Sequence, residues 1–317
     1  MRMLNAPFPY FGGKAKIAHE IWEALGQPKH YIEPFFGSGA VLLNRPNWSQ
    51  KMVETVNDKD GFLSNCWRAL QQNPDAVAKV CDWPVNHAAL ATRKKYLIEH
   101  EAYLLAGLQS DPKWFDAELA GYWIWAASCW IGSGLTRLGQ IPHISDGGKG
   151  VHKIGQIPHI SHGGKGVQEP YNTNIYEWFR QLSERLRYVR VVCGDWTRVC
   201  GGNWQDGMGT VGMFFDPPYG VGDRDTAIYY HDSVDIAADV LVWCRKRGRR
   251  ESYRIVLAGY EEYQELLNEG WTIQKWKANG SYSATGNNEQ GKNNRYRETL
   301  YLSPYCIKNQ KQKSMFD

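Results

Sequence analysis

The feature that most restricts the fold is a strand, a glycine turn, a helix and a second strand in close succession near the N-terminus. Residues 31–34 form a short strand candidate, and Gly37 and Gly39 follow it before an apolar run that predicts a helix. A second strand candidate, residues 52–56, leads to Asp58. This order predicts one βαβ unit in which an acid stands at the tip of the second strand.

Strand and helix candidates alternate again in the C-terminal part of the chain. Strand-like runs lie at residues 188–193, 213–215, 254–257, 272–276 and 298–302. Helix candidates lie at residues 174–187, 234–247 and 261–268. Such alternation is typical of a mostly parallel sheet with helices on both faces, so the predicted fold class is α/β.

The middle of the chain has a different character. Residues from about 60 to 130 have the apolar spacing of successive helices, and residues 132–170 are rich in glycine, histidine and serine. The spacing of Trp123, Trp125 and Trp130 favours core packing over stacking on bases. We therefore predict one discontinuous domain, an insertion and a polar tail, with these bounds: 1–64 and 186–305 for the domain, 65–185 for the insertion, and 306–317 for the tail.

Composition sets few limits on function. A formal net charge of +4 permits a nucleic-acid partner without arguing for one. The seven cysteines are scattered, with no C-x-x-C pair, which indicates reduced thiols rather than a disulfide framework. The N-terminus has no signal-peptide pattern, and the longest near-apolar run is about half of a membrane span. We expect a cytoplasmic protein without a membrane segment.

The most informative motif follows the strand candidate at 213–215 and consists of Asp216, Pro217, Pro218 and Tyr219. In an open α/β sheet, ligands bind at the carboxyl ends of the strands. The Asp216 carboxylate and the Pro217 carbonyl can accept hydrogen bonds from an aryl amino group, and two prolines would hold these acceptors in place. Tyr219 offers a flat face for an extruded base. A plain strand-ending turn is the alternative interpretation.

Three further segments can contact a ligand: the glycine turn together with Asp58, a glycine-lysine segment near the N-terminus, and an acid–aromatic pair after the strand at 188–193. Gly37 and Gly39 allow the backbone to approach one at a helix start, although Leu42 stands where a dinucleotide fingerprint has glycine. Asp58 ends the next strand candidate, where a carboxylate can accept from ribose hydroxyls. A Gly-Gly-Lys segment ends at Lys14, and an acid with an aromatic follows the strand at 188–193. Each of these segments is also compatible with an ordinary turn or helix cap.

Together and in this order, the four segments resemble the Dam-type adenine-specific DNA methyltransferases, most of all phage- and prophage-borne members. The resemblance implies a Rossmann-like sheet, with a target-recognition insertion and a final antiparallel hairpin. It also implies S-adenosylmethionine as methyl donor and double-stranded DNA as substrate. The expected reaction transfers a methyl group to N6 of an adenine flipped out of the duplex. We expect no metal requirement, and a monomer is the simplest assembly.

The resemblance also assigns roles to positions of this sequence. The catalytic residues would be Asp216, Pro217, Pro218 and Tyr219. The cofactor contacts would be Tyr10, Gly12, Lys14, Phe35, Gly37, Gly39, Asp58, Asp195, Trp196 and Asp216.

Contacts with DNA are expected in two regions. Arg137 lies in a stretch similar to the base-reading segment of the GATC-specific members, where arginine can grip guanine. Residues 139–145 recur at 155–161, and each copy continues into a Gly-Gly-Lys-Gly segment that carries Lys149 or Lys165. We expect these lysines to touch phosphates, and solvated loops without a function are the alternative. A metal site is disfavoured because the histidines of the repeat lack zinc-ligand spacing. Ser281 and Tyr282 would contact DNA from the loop of the final hairpin. The duplication departs from the GATC enzymes, so the recognition sequence is left open.

Several alternative functions fit the same residues. A cytosine-N4 or RNA amino methyltransferase would use the same chemistry, and a catalytically silent DNA-binding scaffold would keep only the fold. A nicotinamide-dependent oxidoreductase is disfavoured by Leu42. The basic run at 245–250 is interpreted as a solvated loop rather than as a DNA contact, because cations also favour a helix C-terminus.

Overall fold

The computed structural model describes residues 4–8, 10, 13–129, 135, 174–218, 236–259, 263–276 and 299–307. Within these residues the strands are β1 His30–Glu33, β2 Val53–Asp58, β3 Val189–Cys193, β4 Val211–Phe215, β5 Tyr253–Gly259, β6 Thr272–Lys275 and β7 Thr299–Leu302. The α-helices are α1 Ala18–Leu25, α2 Ala40–Leu43, α3 Gly61–Gln72, α4 Pro74–Cys81, α5 His87–Glu99, α6 Glu101–Ser110, α7 Ala117–Cys129, α8 Ile175–Leu186, α9 Thr197–Cys200 and α10 Ile236–Gly248. Short 3₁₀ helices span Ala15–Ile17 and Gln264–Glu269.

The strands form a seven-stranded sheet in the order β3-β2-β1-β4-β5-β7-β6. β1 pairs in parallel with β2 and β4, and β4 pairs in parallel with β5. β7 is antiparallel to both β5 and β6. The predicted α/β class, the mostly parallel sheet and the final antiparallel hairpin are therefore confirmed, and the fold is Rossmann-like.

Every predicted strand overlaps an observed one, but the helix predicted at 261–268 is wrong in type. Gln264–Glu269 is a 3₁₀ helix, in which Leu266 N donates to Tyr263 O (3.1 Å) and Gly270 N donates to Leu267 O (3.2 Å). Gly270 ends it at φ +82°. The segment is too short to gain from α-helical bonding, and the tighter spacing suits a single connecting turn.

Burial along the strands agrees with their places in the sheet. β1 and β4 are buried at every position, which requires cover on both faces. Helices α1 and α10 both pack against β5. β6 instead alternates between partly buried and exposed side chains, as expected of a strand at the sheet edge with one solvated face.

The register brings several chain ends to one edge of the sheet. Phe215, the last residue of β4, is opposite Leu257 of β5. Gly259, the last residue of β5, is opposite Thr299, the first of the antiparallel β7. Thr299 in turn is opposite Lys275, the last residue of β6. The residues that follow β4 and β6 therefore leave the sheet at the same edge.

The described residues fall into two compact units. The first contains those of 4–10 and 58–194, and the second those of 13–57, 195–218 and 236–307. The domain bounds predicted above remain a prediction. None of the described helices is long and apolar enough to cross a membrane.

The first unit is mostly helical, and its interior contains the tryptophans of α7. Trp123 and Trp125 are buried, and the ring of Phe8 meets Trp123 edge-on at 4.9 Å. The core role predicted for these two residues is confirmed, and Trp130 lies outside the described residues. Arg68 of α3 is also buried, and its guanidinium donates to main-chain carbonyls, of which Val191 O is the closest at 3.0 Å. Side chains of this kind tie the helices to β3.

The basic run at 245–250 differs from the predicted solvated loop. Helix α10 continues to Gly248, so most of the run belongs to its last turn. Arg247 is buried and donates to Asp206 Oδ1 at 2.7 Å, and Arg250 donates to the other carboxylate oxygen at 2.7 Å. Arg245 and Arg249 both pair with Glu269. The run is therefore an ion-pair network that stabilises the second unit.

Candidate active site

The site begins where β4 ends. Phe215 is fully buried, and Asp216 follows it directly at the sheet edge with a partly exposed side chain. Pro217 is buried and Pro218 partly so. Because proline fixes its own φ angle and restricts the residue before it, Asp216 is held in an extended conformation at this edge. The carboxylate thus lies where open α/β sheets place their ligands.

Lys14 contacts Asp216 directly. The Lys14 Nζ lies 2.7 Å from Asp216 Oδ2, and 4% of the Lys14 side chain and 22% of the Asp216 side chain are exposed. Lys14 precedes the 3₁₀ helix Ala15–Ile17 and its carbonyl accepts from Ile17 N at 3.1 Å, which fixes the start of the side chain. A buried ammonium requires such an opposite charge, and a charge-assisted bond is stronger than a neutral one.

The glycine turn after β1 has the geometry that its sequence requires. Gly37 and Gly39 have φ of +50° and +63°, a region that residues with a Cβ rarely adopt. Gly39 N donates to Phe36 O at 2.8 Å, and a Cβ on Gly39 would lie 2.7 Å from Phe36 Cζ. Asn57, which lies in β2, donates from its side chain to Pro34 O and accepts from Phe36 N. The turn is therefore held by hydrogen bonds to Asn57 of β2, and its close packing on the Phe36 ring requires glycine at position 39.

Glu33, the last residue of β1, is not among the residues predicted for the site. It is buried, and the Tyr31 hydroxyl donates to its Oε2 at 2.9 Å. Burial raises the pKa of Glu33 well above its ordinary value of 4.5, the Tyr31 hydrogen bond opposes this, and the charge of Asp216 raises the pKa further. The buried Glu33 carboxyl, next to the glycine turn and within the field of Asp216, therefore holds its proton more strongly than an exposed glutamate does.

Aromatic rings pack beside the glycine turn in the second unit. Phe35 and Trp196 lie nearly parallel, with ring centroids 6.5 Å apart and an interplanar angle of 28°. Trp243 of α10 meets Phe215 at 5.3 Å and Trp196 edge-on at 6.4 Å, and its Nε1 donates to Cys200 O. The sequence indicated Phe35 and Trp196 but not Trp243, which comes from a distant helix.

Asp195 and Asp58 both make local hydrogen bonds. Asp195 Oδ1 accepts from Thr197 N at 3.0 Å and from the Thr197 hydroxyl, an Asx turn just before α9, whose N-cap residue is Trp196 and not Asp195. Asp58 ends β2 as predicted, and its Oδ1 accepts from Asp60 N at 3.0 Å. These bonds hold both carboxylates at the carboxyl ends of their strands.

Of the remaining predicted site residues, one lies in the part of the chain that the structure describes, and the others lie outside it. Tyr10 is described and 37% exposed. The residues that lie outside the described part of the chain are Gly12, Tyr219, Arg137, Lys149, Lys165, Ser281 and Tyr282. Among the described residues, no group of three or more histidine, cysteine, aspartate or glutamate side chains is arranged to hold a metal ion.

The parallel sheet, the glycine turn and the acid at the end of β4 define the class as a Rossmann-like methyltransferase. Residues 10–124 match the model of the D12 class N6 adenine-specific DNA methyltransferase family. The match covers residues 10–124 and supports methylation of adenine at N6 in DNA, a reaction for which the family implies S-adenosylmethionine as donor. A search of the curated proteins finds no match to the chain.

Proposed function

We propose that Asp216, Pro217, Pro218 and Tyr219 carry out the adenine-N6 methylation and that the glycine turn after β1 binds S-adenosylmethionine. The observation that carries this proposal is the ion pair between Lys14 and Asp216, which holds a charged acceptor at the carboxyl edge of the sheet. The likeness to phage-borne members remains a prediction.

The chemistry that these residues must supply follows from the target. The lone pair of the adenine amino nitrogen is delocalised into the ring, so the nitrogen becomes nucleophilic only when it turns pyramidal. The Asp216 carboxylate and the Pro217 carbonyl would accept the two amino hydrogens and favour that geometry. Lys14 bonds Oδ2 and limits rotation of the carboxylate, so the orientation of this acceptor is set in advance. Tyr219 would stack on the flipped base.

The residues near the glycine turn suit the donor. Backbone at Gly37 and Gly39 can approach the methionine portion because neither residue has a side chain. Phe35 and Trp196 present flat faces to an adenine ring. When bound, S-adenosylmethionine would supply a methyl group on a positively charged sulfur.

The other proposed cofactor contacts are polar or lie near the N-terminus. They are Tyr10, Gly12, Asp58 and Asp195. The two acids would accept from hydroxyl or amino groups of the donor. Lys14, assigned by resemblance to the cofactor, would act on Asp216 as well.

We further propose that the protein acts as a monomer on double-stranded DNA. The proposed DNA contacts are Arg137, Lys149, Lys165, Ser281 and Tyr282. Phosphate contacts would make the affinity fall as salt rises.

The proposal is tested by Asp216→Asn and Asp216→Ala. Both variants lack the negative charge of the Asp216 carboxylate, and only the Asn variant keeps a side-chain oxygen that can accept a hydrogen bond. We expect methyl transfer to fall by at least about a thousandfold in both variants, with S-adenosylmethionine and DNA affinities within about threefold of the native protein. Trp204→Leu, an exposed position in the same unit, is the matched control and should keep full activity. Near-native transfer by Asp216→Ala would exclude this site.

A further inference from the structure

The residue that follows β6 lies at the same sheet edge as Asp216. The pairing of Lys275 with Thr299, and of Thr299 with Gly259, places the end of β6 level with the carboxyl end of β5. Trp276 is the next residue, and its side chain is partly buried. In the sequence it is no more than the end of a strand candidate.

Trp276 contacts Lys14. The Lys14 Nζ lies 5.9 Å from the centroid of the Trp276 ring and 2.7 Å from Asp216 Oδ2. Since only 4% of the Lys14 side chain is exposed, the ammonium has lost most of its water. An indole face is the strongest aromatic partner for a cation, and its attraction increases when the cation is desolvated. Lys14 therefore has a π face and a carboxylate as two of its partners.

The indole N–H of Trp276 gives a second observation. Within the described residues, Trp276 Nε1 is buried and makes no hydrogen bond. A buried unpaired donor lowers stability, so a purely structural role would be filled better by phenylalanine. A tryptophan here is instead explained by its larger π face, which phenylalanine offers in weaker form.

We propose that Trp276 is a positioning residue for methyl transfer, and that it acts by holding the Lys14 ammonium against Asp216. The proposal rests on the catalytic role of Asp216 proposed above. Without the indole ring, the Lys14 ammonium can move away from Asp216 Oδ2. The Asp216 carboxylate is then less often in the orientation that accepts a hydrogen bond from the adenine amino group.

The test compares Trp276→Phe and Trp276→Met in the native protein and in the Lys14→Met protein by single-turnover methyl transfer to duplex DNA. In the native background we expect the rate constant to fall about twofold to threefold for Phe and about tenfold for Met, following the loss of the cation–π contact. The KM value for DNA should change by less than about twofold, because the proposed effect is on the orientation of the Asp216 carboxylate during transfer. In the Lys14→Met background the three residues at position 276 should give equal rates, because the cation is absent.

Two outcomes would overturn the proposal. One is an unchanged rate constant in Trp276→Met. The other is a rate constant that falls equally for Trp276→Met and Trp276→Phe in both backgrounds, because that result would indicate a packing role alone. If Trp276→Met does not fold, the double-mutant cycle of Trp276→Phe and Lys14→Met still measures the interaction between Trp276 and Lys14. Asp216→Ala is assayed alongside to separate the two proposals. If Asp216→Ala still transfers methyl groups, the proposed catalytic site is refuted. If Asp216→Ala is inactive and the Trp276 variants have native rates, only the role of Trp276 is refuted.

Discussion

Lys14 and Asp216, 202 positions apart in the chain, form an ion pair of 2.7 Å at the carboxyl edge of the sheet. Lys14 precedes the first helix and Asp216 follows β4, so the pair joins two parts of the second unit that are far apart in the sequence. The ammonium is almost fully buried, which makes its position depend on the carboxylate. A catalytic carboxylate held in this way is oriented before the substrate arrives.

Removing the ammonium should therefore impair the reaction more than it impairs binding. We expect Lys14→Met to lower the single-turnover rate of methyl transfer by about a hundredfold, the typical effect of losing one preorganised electrostatic contact. Lys14→Arg keeps the charge with a different geometry and should lose less. Rapid-quench measurements with saturating S-adenosylmethionine and DNA would check this, and equal rates for native and Met proteins would contradict it.

Gly39 of the glycine turn can be compared with Gly202, a glycine elsewhere in the second unit that has a similar positive φ. Gly39 and Gly202 have φ of +63° and +70°, but a Cβ on Gly39 would lie 2.7 Å from Phe36 Cζ, whereas none of the described atoms lies within 4 Å of one on Gly202. Gly202→Ala should lose about 1–2 kcal/mol of unfolding free energy through backbone strain, and Gly39→Ala should lose more because its Cβ also meets the Phe36 ring.

Only Gly39→Ala should also disturb the proposed cofactor site. We expect its affinity for S-adenosylmethionine, measured by calorimetry, to fall at least about tenfold, and that of Gly202→Ala to be unchanged. Equal affinities in the two variants would exclude the turn from the cofactor site.

Local sequence patterns are enough to predict the sheet. Apolar runs bounded by turn residues mark every described strand, and the two glycines with Asp58 mark the βαβ unit. Asp216 stands out because a carboxylate with two prolines directly after a buried strand is an unusual sequence.

The residues that sequence patterns do not reveal are those whose roles depend on distant contacts. In the sequence Glu33 is simply part of a strand, and only its burial near Asp216 shows that its pKa is raised. Trp243 and Trp276 reach the site from other elements, and no local pattern distinguishes them from core tryptophans. The prediction for the basic run is wrong for the same reason, because its partners Asp206 and Glu269 lie outside it in sequence.

Glu33 makes the stability of the fold depend on pH in a predictable direction. Because its pKa is raised on folding, its contribution is fully present below its ordinary value of 4.5 and is lost as the pH rises toward the folded pKa. Glu33→Gln imitates the neutral acid and lacks this dependence. As the pH rises above the ordinary value of 4.5, the unfolding free energy of the native protein should fall relative to Glu33→Gln by up to about 1.4 kcal/mol per pH unit. Urea denaturation at several pH values would show this, and parallel curves would contradict it.

Arg247 is expected to matter for stability rather than for DNA binding. It donates to Asp206 Oδ1 at 2.7 Å and to Gly202 O, and only 8% of its side chain is exposed. Arg247→Ala should lower the unfolding free energy by about 2–4 kcal/mol, less than for a fully buried pair because Asp206 is one-third exposed.

Lys246→Ala is the matched control for this run of basic residues. Its unfolding free energy should change by less than about 0.5 kcal/mol, and its DNA affinity should equal that of the native protein. A marked loss of DNA affinity in Lys246→Ala would show instead that the run contacts DNA.

The identity of the methylated product decides whether Asp216 acts on adenine as proposed. Native protein and Asp216→Ala would be incubated with labelled S-adenosylmethionine and unmethylated duplex DNA, and the nucleosides would then be separated and counted. We predict label in N6-methyladenine for the native protein and none for Asp216→Ala. Label in methylcytosine, or label in N6-methyladenine that persists in Asp216→Ala, would contradict this assignment.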